Sequence, residues 1–132
     1  MNNSAHGTAT EVRSECPEEL VPVFDFLYEL IRKNAGDCIE IAWPKQRIVS
    51  FGVGPKKMSE HHCYIAVYAS HINLGFYHGA LLRDSSGILE GTGKGLRHIK
   101  ISSLAGAKNP LIVDVVCEAI ADRKRTKNEA KK

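Results

Sequence analysis

The residues best suited to ligate a metal or move a proton are His61, His62, His71, His78 and His98, together with Cys63. If Ser70 and His71 make a tight turn between the apolar runs 63–70 and 72–78, Cys63 falls opposite His78 on one face. A cysteine and a histidine about 5 Å apart can begin a transition-metal site. Two ligands fall short of a structural zinc, however, and a free cysteine in an apolar run is usually a small buried hydrophobe. The same pair has the outline of a thiol–imidazole couple, but apolar surroundings raise a thiol pKa and keep it unreactive. His71 reads as a turn residue. Asp25 and Glu29, four apart on one helix face, are hard oxygen ligands of the kind iron takes. Yet Glu29 and Lys33 also form an ordinary i,i+4 ion pair, so a solvated helix face competes with a metal site.

The run Glu90-Gly-Thr-Gly-Lys-Gly95 invites a phosphate reading. It is not a Walker loop, because no glycine stands five before Gly93 and Gly95 occupies the place of the Ser or Thr. It leads into a strand, so no helix N-terminus is offered to an anion. What remains is a glycine backbone able to form a nest of amides for a phosphate or carboxylate, with Lys94, Arg97 and His98 beside it. The competing reading is that Glu90, Lys94 and Arg97 pair with each other or with backbone and stitch the loop to the sheet. Ser70, Ser85 and Ser86 lie in turn-like sequence without a nucleophile-elbow motif. No carboxylate pair sits in an apolar run. The chain therefore reads as non-catalytic.

These residues must be positioned by a short list of elements. Leu20, Val23, Phe24, Leu27, Leu30 and Ile31 have helical spacing; Pro22 suits the first turn and Gly36 the end. The alternation Ile39/Ile41/Trp43 fits a short strand or a helical turn, ended by Pro44 either way, and Val49/Phe51/Val53 predicts a strand. The runs 63–70 and 72–78 form the best strand pair. With Ala69 opposite Ile72, the expected register sets Val67 against Leu74, Ile65 against Phe76 and Tyr64 against Tyr77. One face is then apolar and the other rich in tyrosine, a segregation that a one-residue slip would destroy. Leu96 to Ile101 predicts a further strand, with Arg97 on its isoleucine face. Asn109 caps a last helix with Pro110 at its first position. Helix, antiparallel strands, helix implies an α+β two-layer sandwich. Both terminal helices pack on one face of the sheet, and the tyrosine face stays open.

Length and charge narrow the function classes. The chain has 132 residues, an ordinary single-domain size. Its net charge is +3, but Arg123, Lys124, Arg125, Lys127, Lys131 and Lys132 against Asp122 and Glu129 make residues 121–132 +4, leaving the body −1. A near-neutral body is not that of a dedicated nucleic-acid binder. No apolar run reaches the roughly 18 residues of a membrane helix, and Met1 to Thr10 lacks a secretory apolar core. The cysteines, Cys16, Cys38, Cys63 and Cys117, form no C-x-x-C pair and read as reduced thiols of a cytoplasmic protein. The expected organisation is a mobile arm over 1–14, one domain over 15–125 and a basic disordered tail over 126–132.

Three segments carry a resemblance: 52–64 (GVGPKKMSEHHCY), 72–82 (INLGFYHGALL) and 87–100 (GILEGTGKGLRHIK). With these the chain resembles the YdhG-like family, also called domain of unknown function 1801, over about residues 20–122. The resemblance implies a frataxin-like fold of two helices against one antiparallel sheet; it implies no reaction and no catalytic residues. The resulting expectation is a binding or interaction module. Its open sheet face, with Tyr64, Tyr68, Tyr77, His98 and Lys100, would take a protein partner or a second copy. The two alternatives are frataxin-like iron binding, with Asp25 and Glu29 or Cys63 and His78 as ligands, and weak anion binding at Lys94, Arg97 and His98. No resident cofactor is expected beyond that iron.

Overall fold

The computed structural model describes residues 2–3, 7–83 and 87–130. The expected sandwich is what these residues form. Helices α1 (Ala9–Ser14), α2 (Val21–Ala35), α4 (Leu104–Ala107) and α5 (Pro110–Ala130) lie on one side of a sheet, and a single turn, α3 (Lys57–Glu60), sits at one end. The strands are β1 (Asn2–Asn3), β2 (Ile39–Trp43), β3 (Ile48–Gly52), β4 (His61–Val67), β5 (Ile72–Phe76) and β6 (Arg97–Ile101), in that spatial order. β2 to β6 are antiparallel throughout; β1 adds a short parallel edge to β2. Among the described residues no helix is long and apolar enough to cross a membrane.

The helix boundaries follow local chemistry. α2 begins with proline in its first turn and ends at Gly36, whose φ of 66° is easily reached only without a Cβ. α5 starts at Pro110, with Asn109 Oδ1 accepting from the Leu111 amide at 3.0 Å. Alternate strand residues (Val49 and Phe51, Ile65 and Val67, Ile72 and Leu74) pack with Val23, Leu27 and Ile31 of α2 and Ile112, Val116 and Ile120 of α5 in one core. Burial of these side chains is the main force holding helices to sheet.

Three expectations are corrected. Residues 8–14 are not an arm. The Glu11 amide donates to Thr8 Oγ1, and the Thr8 amide donates to Glu11 Oε1, a capping box that starts α1 and seats Val12 fully in the core. Residues 126–130 are not a disordered tail: α5 runs through them, tied down where Lys127 Nζ donates to the Val53 carbonyl at 2.6 Å. Residues 1, 4–6, 131 and 132 of those two segments, and Ser85 and Ser86, lie outside the described residues.

The β4–β5 register is also shifted by two. Val67 pairs with Ile72, Ile65 with Leu74 and Cys63 with Phe76. The Ile65–Phe76 and Tyr64–Tyr77 pairings are therefore absent, and Tyr64 stands opposite Gly75. The turn sits one residue earlier than expected: the Tyr68 amide donates to the His71 carbonyl, which leaves Ala69 and Ser70 at its tip, and the Tyr68 and His71 rings stack at 4.8 Å. Because side chains alternate with a period of two, the shift leaves residues 63–67 and 72–76 on their expected faces; His62, expected on the tyrosine face, instead turns to the helix side.

Candidate functional site

The sheet face turned away from the helices carries two complete rows of side chains. One runs Ile41, Ser50, Tyr64, Gly75, His98; the next runs Trp43, Ile48, Ala66, Asn73, Lys100. Trp43, Ile48, Tyr64, Asn73 and His98 are half-exposed and Lys100 is exposed, whereas Ile41, Ser50 and Ala66 are buried beneath their neighbours. The face is thus apolar on the β2–β3 side and polar to basic on the β5–β6 side. Trp43, Gln46, Ile48 and Lys57 line a hollow of about 250 Å³ at its apolar end, where Lys57 Nζ sits 5.3 Å from the Trp43 ring centre. Asn73 Oδ1 is buried in the second row without a hydrogen-bond partner among the described residues.

A buried polar cluster supports this face from beneath. A β-bulge lets Gly52 oppose His61 while Phe51 opposes Cys63, and the extra residue reverses the strand's alternation before Cys63, deciding which face each histidine takes. His61 goes to the helix-free face, and Ser50 Oγ lies 2.5 Å from its Nδ1 and 2.8 Å from the Tyr77 hydroxyl. The Ser50 hydroxyl has one proton and two neighbours, so it donates to one and accepts from the other. Two glycines make room for the rings. A Cβ on Gly52 would lie 2.3 Å from the His61 ring, and one on Gly75 2.0 Å from the Tyr64 ring. Tyr64 leans over β5 and meets Tyr77 with ring centres 5.1 Å apart. Burial holds His61 neutral, with a pKa pushed down to about 4 against the opposing pull of the Gly54 backbone, and raises Tyr77 and Tyr64 above the usual phenol value. Ser50 and His61 are wholly buried. Their pairing cannot present a nucleophile to a substrate; it stiffens the face instead.

His62 turns to the helix side. Burial raises the Cys63 thiol well above its ordinary pKa, and its Sγ shares a hydrogen bond of 3.1 Å with His62 Nδ1. His62 is pushed down to about 3 by burial, with His61 and Lys124 adding to the effect. Its Nε2 is buried and has no partner among the described residues. The crevice His62 shares with His78, Leu82, Asp122 and Arg123 has no room even for a water-sized guest.

The structure separates several of the predicted site residues. Cys63 and His78 are not cross-strand neighbours: Cys63 faces Phe76, while His78 lies beyond β5 with Nε2 on the Met58 carbonyl at 2.7 Å. Asp25 is held by the Arg13 guanidinium through two bonds of 2.7 and 2.9 Å, which depress its pKa and occupy both carboxylate oxygens. Glu29 is exposed on the same helix. Among the described residues no group of three His, Cys, Asp or Glu is placed to hold a metal ion. Arg97 lies on the core side, opposite Phe76, and donates to the Gly93 and Leu96 carbonyls at 2.6 and 2.8 Å. The loop is stitched through backbone, with the Glu90 and His98 amides and carbonyls exchanging bonds of 2.8 and 2.9 Å. Of the competing reading, the pairing with backbone is what Arg97 makes; Lys94 is exposed. Tyr77 is buried rather than presented, and Tyr68 is exposed at the hairpin turn. Tyr64, His98 and Lys100 are brought together on the helix-free face as expected. Ser50, Trp43 and Ile48 join them. Ser50, a lone hydroxyl between Val49 and Phe51, was the one visible sign of a polar cluster there.

No protein-family model, no curated protein and no solved structure matches the chain.

Proposed function

We propose that this chain is a non-catalytic binding module that holds a protein partner on the helix-free face of its sheet. The observation that carries the reading is the pair of side-chain rows in which Trp43, Ile48 and Tyr64 stay half-exposed over a rigid, buried Ser50–His61–Tyr77 support. Aromatic and aliphatic side chains fixed in this way lose little freedom on binding and serve as anchors. Asn73, His98 and Lys100 supply a polar margin that sets orientation. The resemblance to the YdhG-like family supports the plan of helices on one side and a free face on the other. The free cysteines Cys16, Cys38, Cys63 and Cys117 support a reducing, cytoplasmic compartment.

Tyr64→Ser with Trp43→Ala is expected to abolish capture of the partner in a pull-down with immobilised protein, while the melting temperature stays within a few degrees of wild type. Tyr77→Ser should act differently, lowering the melting temperature because it strips the buried Ser50 hydroxyl of a partner. Undiminished capture by a folded Tyr64→Ser/Trp43→Ala protein would remove this face from consideration.

A further inference from the structure

A second surface, distinct from the helix-free face, lies at the end of the sheet where four segments meet. They are the stretch around α3, the turn after β5, the glycine loop before β6 and the last turns of α5. Hydrogen bonds fix the meeting: His78 Nε2 with the Met58 carbonyl at 2.7 Å, the Ala80 amide to the Gly95 carbonyl at 3.0 Å, and Arg123 Nη1 to the Ser59 carbonyl at 2.9 Å.

Two properties set this end apart. Met58, Leu81 and Leu96 are 63%, 70% and 46% exposed, one on each of three of the segments. A small protein with this much core has no folding reason to raise three large apolar side chains at one end. The four segments, residues 53–60, 78–83, 90–97 and 122–129, also hold nine Lys and Arg against four carboxylates, whereas the whole chain is only +3. Much of that charge is outward: Lys56, Lys57, Lys94, Lys124 and Arg125 are exposed. Asp122 is neutralised locally by Arg123 and Arg125 at 2.8 Å each.

The combination selects the occupant. A second copy paired symmetrically would set like charge against like. A duplex held through its phosphates alone would satisfy the cations and leave Met58, Leu81 and Leu96 unused. We infer that this end docks an acidic segment of a partner protein that also carries apolar side chains, its carboxylates engaging Lys94 and Lys124 and its Leu- or Phe-like groups covering Met58, Leu81 and Leu96. Charge complementarity of this kind accelerates encounter and makes binding weaken with salt, while the apolar contacts hold the complex.

The test uses the full chain and a fluorescein-labelled peptide of Glu, Asp, Leu and Phe, with polyglutamate, phosphatidylserine vesicles and duplex DNA as competitors. The peptide should bind at low salt and dissociate as salt rises. Met58→Ser/Leu81→Ser and Lys94→Glu/Lys124→Glu should each weaken it about tenfold or more, and polyglutamate should bind about tenfold more weakly than the mixed peptide. All four positions are exposed, so both variants should keep the wild-type melting temperature. Absence of peptide binding, equal affinity for polyglutamate, unchanged affinity in either variant, or tighter binding to vesicles or DNA would each overturn the proposal. Tyr64→Ser should leave peptide binding unaltered, so this result and the fate of the helix-free face are read separately.

Discussion

Acidification from neutral pH to about pH 4 is expected to lower the melting temperature by on the order of 10 °C, beyond the loss that surface carboxylates alone produce. His61 and His62 are buried and held neutral, with folded-state values near 4 and 3 against an ordinary 6.5. A group whose folded pKa is depressed contributes stability that is fully present above its unfolded pKa and fades as pH falls toward the folded value. The window therefore opens near pH 6.5 and extends to about pH 3. Together the two rings are worth on the order of 3 kcal/mol or more across that range. Their surroundings oppose protonation further: Lys57 faces His61, and the neighbouring ring and Lys124 face His62; the Gly54 backbone and Glu60 pull His61 the other way. Asp25, depressed by Arg13, contributes in the same direction lower in the range. Calorimetry across the range checks this. His61→Gln/His62→Gln should start from a lower melting temperature but show a flatter acid limb. A wild-type curve flat from pH 6.5 to 4 would contradict the burial of both rings.

Arg123→Ala is expected to cost about 3 kcal/mol, near the lower end for breaking a buried ion pair. The side chain is buried, donates through Nε to Asp122 Oδ2 at 2.9 Å, and spans to the Ser59 carbonyl at 2.9 Å and to Thr126 at 3.4 Å. Removing it strands a carbonyl and leaves Asp122 to Arg125, which is largely in solvent. Arg123→Lys keeps the charge but cannot reproduce the fork, so it should fall between. Arg125→Ala, breaking a solvated pair, should cost less than about 1 kcal/mol. Urea midpoints at constant slope give the comparison. An Arg123→Ala protein as stable as Arg125→Ala would show that the link from α5 to the Ser59 segment carries no stability.

Helix ends and strand faces were legible because they rest on local, obligatory chemistry. Pro22 and Gly36 bound α2, Asn109 and Pro110 open α5, and the alternation in β3 to β6 assigns core and open faces. The β4–β5 register was not legible, since it depends on the turn falling at Ala69 and Ser70, closed between Tyr68 and His71, rather than one residue later, and nothing in the strands distinguishes registers two apart. That error created the Cys63–His78 pair. The bulge at His61 and His62 is likewise a tertiary feature: regular alternation would put His62 on the open face and His61 in the core, and the extra residue opposite Gly52 reverses the two. Helix α1 could have been found. Thr8 and Glu11 have the spacing of a capping box, with Val12 as an anchor, but they sit in a polar stretch that reads as an arm. The course of α5 beyond residue 125 depends on the Val53 and Ser59 carbonyls, which no helical pattern announces.

The helix-free face can be tested by isoleucine methyl resonances, because the residue occurs on both sides of the sheet. Ile39, Ile41 and Ile48 lie on the helix-free side; Ile65, Ile72 and Ile99 face the helices. On addition of the captured partner to methyl-labelled protein, the signals of Ile39, Ile41 and Ile48 should shift or broaden while those of Ile65, Ile72 and Ile99 stay in place. Unmoved signals from Ile39, Ile41 and Ile48 in a demonstrably bound complex would place the partner elsewhere and contradict the proposed binding face.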